Sequence, residues 1–219
     1  MTGGDTTMHS RSSSIAVAAL AICIAGCSVF DREAPERSQF RLTPVAGARL
    51  EGEPLGSLLV RRVGAVKPFD ERGFVYELAN GQWRIDPYNG FVADPSAMVT
   101  EAVASGLEDS GRFTLVLPSG VSSRSDYVAE CTLESFHTDF RDRAKPVAVV
   151  RLRMYVLERS SGRGEVLRQL RGEAMAPLAD GSPGAVAEAL SLATAEAVRS
   201  LAAQLPATRA ELAPRPASE

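Results

Sequence analysis

The chain has 219 residues, 45% of them hydrophobic and 23% charged, with a formal net charge of −3. That is a globular composition, and the lack of excess positive charge argues against a binder of the nucleic-acid phosphate backbone. Three cysteines and two histidines leave little material for a zinc site or a disulfide scaffold.

Residues Ile15 to Ile24 form an unbroken run of ten apolar positions. A spanning helix needs about 20 apolar residues and a signal-peptide core about 7–15, so the run predicts a signal peptide. Met8 is a second candidate start: translation from it removes Asp5 and brings Arg11 close to the terminus. The run closes in Ile24-Ala25-Gly26-Cys27, which resembles a bacterial lipobox. Small Ala25 and Gly26 give a peptidase access to the backbone, and the Cys27 thiol is the nucleophile that takes the diacylglycerol. Residues 1–26 are therefore expected to be a lipoprotein signal peptide and Cys27 an acylated anchor, the palmitate-bearing site. Several acyl chains on that cysteine hold a protein stably on a membrane where one does not. Ser28, rather than aspartate, follows the cysteine and points to the outer membrane. Once the signal leaves, Cys131 is the one remaining thiol, so no intramolecular disulfide is expected.

Residues 27–56 are polar and interrupted by prolines and glycines, as in a flexible tether, with Phe40-Arg41-Leu42 as a short edge strand inside it. The compact domain is expected over residues 57–205. Leu58 to Val66 reads as a first strand. Phe74–Leu78 and Gln82–Asp86 read as a hairpin closed by Asn80-Gly81, which suits two positions of positive φ. Asp94-Pro95 opens a helix as cap and first residue; Met98, Val99, Ala102, Val103, Ser105 and Leu107 form its apolar stripe, and Gly111 ends it. A short strand runs over Phe113–Leu117.

Three long strands follow, roughly Tyr127–Phe140, Val147–Leu157 and Glu165–Ala176. Tyr127, Ala129, Cys131 and Leu133 share one face; Val150, Leu152, Met154 and Val156 share another. This strict alternation predicts antiparallel pairing with one packed face. A meander of the three would set Glu134, Arg151 and Glu173 in one row. Ser182-Pro183 opens a second helix, with Val186, Leu190, Ala193, Ala197, Leu201 and Leu205 at spacings of three and four. Residues 206–219 read as a disordered tail. The order β-ββ-α-β-βββ-α predicts an α+β, two-layer domain: a mixed or mainly antiparallel sheet covered by two amphipathic helices.

Chemistry-bearing constellations are sparse. His137 and Asp139 fall on one strand face within hydrogen-bonding reach, but no nucleophile elbow accompanies them, and His137 reads as a surface histidine near a strand end. The glycines of Gly162-Arg163-Gly164 and Gly181 to Gly184 are turn residues with no phosphate-loop pattern. Arg61-Arg62 and Arg141-x-Arg143 read as solvated surface, and Trp83 and Tyr88 as hairpin packing. No catalytic residue, metal site or cofactor is expected, and by elimination the domain binds or scaffolds.

The lipobox, the Phe40-Arg41-Leu42 strand, the block Leu58 to Leu78 and the strand Asp126 to Phe140 together resemble the ABC-type transport auxiliary lipoprotein family, from about Gln39 to Leu205. Phe91 stands where that family usually shows tryptophan. The resemblance implies a non-enzymatic, lipid-anchored periplasmic protein in the cell envelope. Its implied partner is the MCE-domain protein of a paraquat-inducible-type lipid ABC transporter, with a homo-oligomeric ring as a compatible assembly. The alternative, from another class, is an outer-membrane assembly chaperone similar to the lipopolysaccharide-assembly lipoproteins; a periplasmic hydrolase is a distant third.

Overall fold

A computed structural model describes residues 36–43, 47–121, 123–159 and 164–212. The signal peptide, Cys27 and the first part of the expected tether lie outside the described residues. Nine strands form one sheet: β1 Ser38–Phe40, β2 Ser57–Val60, β3 Gly64–Ala65, β4 Gly73–Leu78, β5 Gln82–Phe91, β6 Leu115–Leu117, β7 Tyr127–Asp139, β8 Val147–Glu158 and β9 Glu165–Pro177. The helices are α1 Pro95–Asp109, α2 Pro183–Ala203 and the single turn α3 Arg209–Leu212.

The long strand β7 organises the sheet. One of its edges carries β8 in antiparallel register along nearly the whole length, and β9 follows β8. The other edge carries β2, β3 and β4 end to end, each parallel to it. Beyond them, β6 adds to β2 in parallel, while β5 pairs antiparallel with β4 and β1 pairs parallel with β5. Helix α2 covers β8 and β9, and α1 packs on α2 and β6. The core lies between helices and sheet, as the two-layer reading predicts, and no helix among the described residues covers the sheet's other face.

Sequence patterns account for most elements. The β4–β5 hairpin turns through Asn80 and Gly81, whose φ angles are 65° and 70°. Both values lie in the left-handed region that asparagine and glycine tolerate. Pro183 opens α2, and the Ser182 side chain accepts the Ala185 N–H at 3.2 Å. Val186, Leu190, Ala193, Ala197, Leu201 and Leu205 are all buried. So are Val150, Leu152, Met154 and Val156 on the core face of β8, with Arg151 on the opposite face.

Five expectations change. The predicted strand Leu58–Val66 is broken in two, because Val63 turns inward and donates its N–H to Thr100 Oγ1 of α1 at 2.9 Å. Asp94 does not cap α1 with its side chain; its carboxylate instead meets Arg72 at 2.9 Å and Arg62 at 3.4 Å. Glu134 is an extra residue in β7: Leu133 pairs with Leu152 but Ser135 pairs with Arg151. This bulge reverses the alternation, so Phe136 and Thr138 join the core side and Ser135, His137 and Asp139 the open side. Arg151 does face Glu173, at 2.6 Å, while Glu134 pairs with Arg153 instead. The packed part of the chain is also longer than residues 57–205. β1, Leu42 and Leu55 belong to it at one end, and at the other Leu212 is 0% exposed where a disordered tail is expected.

Candidate functional site

The bulge at Glu134 places His137 on the open face of the sheet, where β4 and the loop before it converge on β7. The imidazole is 5% exposed. Phe69 stacks on it with ring centroids 5.6 Å apart, and Trp83 meets it edge-on at 4.9 Å. His137 is thus enclosed rather than a surface residue. Its carboxylate neighbour is Glu77, with Oε2 at 3.3 Å from Nε2. Asp139, the partner suggested by sequence spacing, is held by Arg141, whose Nε lies 3.0 Å from both carboxylate oxygens. Arg141 also approaches Glu77 at 3.5 Å.

These contacts set the electrostatics. Burial holds His137 below the ordinary histidine value, with Glu77 acting in the opposite direction, so the ring is neutral at physiological pH. The hydrogen bond from Arg141 lowers the Asp139 carboxyl. Nδ1 of His137 has no hydrogen-bond partner, and no hydrogen bond joins the ring to the neighbouring Ser135 among the described residues. Cys131 is buried on the core side and its thiol is pushed up to about 12 by desolvation, which leaves it unreactive. A cavity of about 300 Å³ opens beside this cluster, between Trp83, Met175 and Arg151.

A second cavity, of about 230 Å³, lies between the two long helices. Its walls are Met98, Ala102 and Gly106 of α1 and Ala195, Val198 and Ala202 of α2, with Leu42 and Leu50 from the preceding segment. The rim carries the Arg41–Glu101 pair at 2.9 Å. It is a mostly apolar groove that suits a hydrocarbon segment or an apolar side chain. Its small residues read in sequence as ordinary helix packing, so nothing in the pattern singles them out. Glu77 and Phe69 are missed for another reason: they meet His137 only through the pairing of distant strands.

The described residues hold no group of three or more histidine, cysteine, aspartate or glutamate side chains arranged for a metal, and no helix among them is long and apolar enough to cross a membrane. Arg61 pairs with Glu130 at 2.7 Å and Arg62 with Asp94, so both act as solvated sheet-edge charges. Cys27, the one site residue expected from sequence, lies outside the described residues.

Comparison with known proteins supplies the frame for these features. The fold is similar to that of XCC0632 from Xanthomonas campestris, assigned to the family model DUF330: TM-score 0.63 at 21% identity, covering 74% of this chain and 91% of that one. An uncharacterized protein of known structure is similar at TM-score 0.58 and 12% identity, covering 77% of this chain and 98% of its own. A comparison with curated proteins returns no match. The model of one family spans residues 40–202, from β1 to the last turn of α2. The chain belongs to the ABC-type transport auxiliary lipoprotein component family.

Proposed function

We propose that the protein is anchored through acylated Cys27 to the periplasmic face of the outer membrane and serves an MCE-type lipid ABC transporter by binding and scaffolding. The family match over residues 40–202 carries this reading. The Ile24-Ala25-Gly26-Cys27 motif supports the anchor, and Ser28 supports the outer membrane. The enclosed His137, with no nucleophile bonded to it, favours a binding role over catalysis. The groove between α1 and α2 and the open sheet face are the two surfaces available to a partner, and a ring of identical copies is compatible with both.

The test is purification of the native protein from membranes in mild detergent, followed by identification of what accompanies it. A permease, an ATPase and an MCE-domain protein are expected. A β-barrel protein in their place would overturn the transporter reading in favour of an assembly chaperone. The anchor is tested separately with Cys27→Ser in cells fed labelled palmitate: the wild type takes up label and the variant accumulates as uncleaved precursor.

A further inference from the structure

The β4–β5 hairpin is built unlike the rest of the sheet. Gln82, Trp83, Arg84 and Ile85 are exposed in succession, on both faces of the strand, while the hairpin end is tied to the domain by β4–β7 pairing and by the Trp83–His137 contact. Trp83 is 47% exposed and Ile85 44%, and they share the open face of the sheet. Further along the same strand Tyr88 is 44% exposed. Arg84 is exposed and, like Arg124, Arg143 and Arg171, belongs to no ion pair among the described residues. At the hairpin end Trp83 and Ile85 put an amphipathic indole and a branched aliphatic side chain on one face and Arg84 puts a guanidinium on the other, a combination suited to the headgroup region of a bilayer.

The direction of β1 points the same way. β1 runs parallel to β5, with Ser38 beside Asn89 and Phe40 beside Phe91. The chain therefore enters the sheet from the side of the hairpin turn. Ten residues, or eleven chain steps, separate Cys27 from Ser38, a stretch that extends at most about 40 Å. Gly73 pairs with Gly90 and Leu78 with Gln82, so the run from Gly90 back to Gln82 spans the five steps of β4, roughly 17 Å. The hairpin end thus lies within the length of the chain that joins the sheet to the acylated cysteine.

We infer that the end of the β4–β5 hairpin is a membrane-docking surface. Trp83 and Ile85 enter the interfacial layer of the bilayer that holds Cys27, and Arg84 meets lipid phosphates. Anchor and hairpin then make two contacts that orient the domain. The inference rests on the lipid-anchored reading above, and its test separates the two.

Trp83 is the sole tryptophan of the chain, so its fluorescence reports on this one spot. The lipidated full-length protein is placed in vesicles of phosphatidylethanolamine and phosphatidylglycerol, some with acyl chains brominated near the glycerol end. The expected result is a blue-shifted Trp83 emission, quenched by the brominated lipid and shielded from acrylamide in water. Ile85→Asp should lower the lipid quenching about tenfold, the scale set by losing one buried aliphatic side chain. Leu192→Asp, an equally exposed apolar position on α2, should leave it unchanged. Protein that floats with the vesicles while Trp83 stays open to acrylamide overturns the docking surface and leaves the anchor standing. Protein that does not float overturns both. Shielding that brominated lipid does not quench, and that grows with protein concentration, assigns the hairpin to a second copy of the chain and overturns the inference.

Discussion

Helix α2 sits so close to β9 that one hydrogen at Gly172 cannot be replaced by a methyl group without moving the layers apart. A Cβ built there falls well inside 3.0 Å of the Ala197 carbonyl oxygen and 2.9 Å from Leu201 Cγ. The obstacle is helix backbone, which cannot rotate away as a side-chain tip can. To restore ordinary contact α2 must retreat by about 1 Å over its middle, loosening Ala193, Ala197 and Leu201 together; overpacking of this kind costs about 1–3 kcal/mol. For a domain of this size that lowers Tm by roughly 2–4 °C for each kcal/mol. The assay is urea denaturation of Gly172→Ala beside Gly181→Ala, whose added Cβ meets nothing within 4 Å. Gly181→Ala should stay near the wild type or gain slightly, because it restricts the unfolded chain. A Gly172→Ala protein within about 0.5 kcal/mol of the wild type would refute the close seating of α2 on the sheet.

Three further outcomes are expected. Arg151→Glu sets two acids face to face with Glu173 on an exposed row and should cost about 1 kcal/mol, whereas Leu152→Glu buries an unpaired charge and should cost about 4 kcal/mol or more; chemical denaturation compares the two. Arg112 is 1% exposed and donates to the carbonyls of Glu51 at 3.2 Å and of Pro206. Arg112→Met should cost about 2–4 kcal/mol, because hydrogen bonds to a charged group contribute about 1.5–3 kcal/mol each, and limited proteolysis should cut first near residues 206–212. His137 lies below its ordinary value of 6.5 in the folded chain because it is buried. The unfolded chain therefore takes up the proton first, and stability present above 6.5 is lost as pH falls through that value toward the lower one of the folded chain. Denaturation midpoints across that range should slope for the wild type and flatten for His137→Phe.

Much of this arrangement was legible in the residues. Alternation named the core faces of β8 and of β7 as far as Leu133, and the spacing from Val186 to Leu205 named the buried stripe of α2. Alternation failed at Glu134, because Glu134 and Ser135 are both polar and an inserted polar residue leaves no mark in the pattern. It failed at Val63 because an apolar residue that turns toward a helix looks the same in sequence as one that continues a strand. Leu212 was hidden among alanine, proline and charge, a composition that resembles a tail although one leucine there fills a core position. His137 read as surface since its cover comes from Phe69 and Trp83, far apart in the chain and joined to it only by topology. Cys27 lies outside the described residues, and the lipobox reading rests on the local order of residues alone.

The arrangement of β2, β3 and β4 along one edge of β7 has a consequence for how the chain acquires its shape. Leu58 pairs with Tyr127, Gly64 with Thr132 and Tyr76 with Thr138, so each segment awaits a partner 62–69 residues further on. β7, β8 and β9, by contrast, are joined by short connections and pair with immediate neighbours. Loop closure over such distances is slow compared with hairpin formation. The second half of the chain is therefore the template, and the first half, made earlier on the ribosome, assembles later. In the interval the strands upstream of β7 have open edges, the state in which sheet proteins are most prone to pair with the wrong chain. Order of synthesis and order of assembly run in opposite directions along this edge of β7: the β4–β5 hairpin can close locally, but β2, β3 and β4 find their places on the sheet only after β7 has been made.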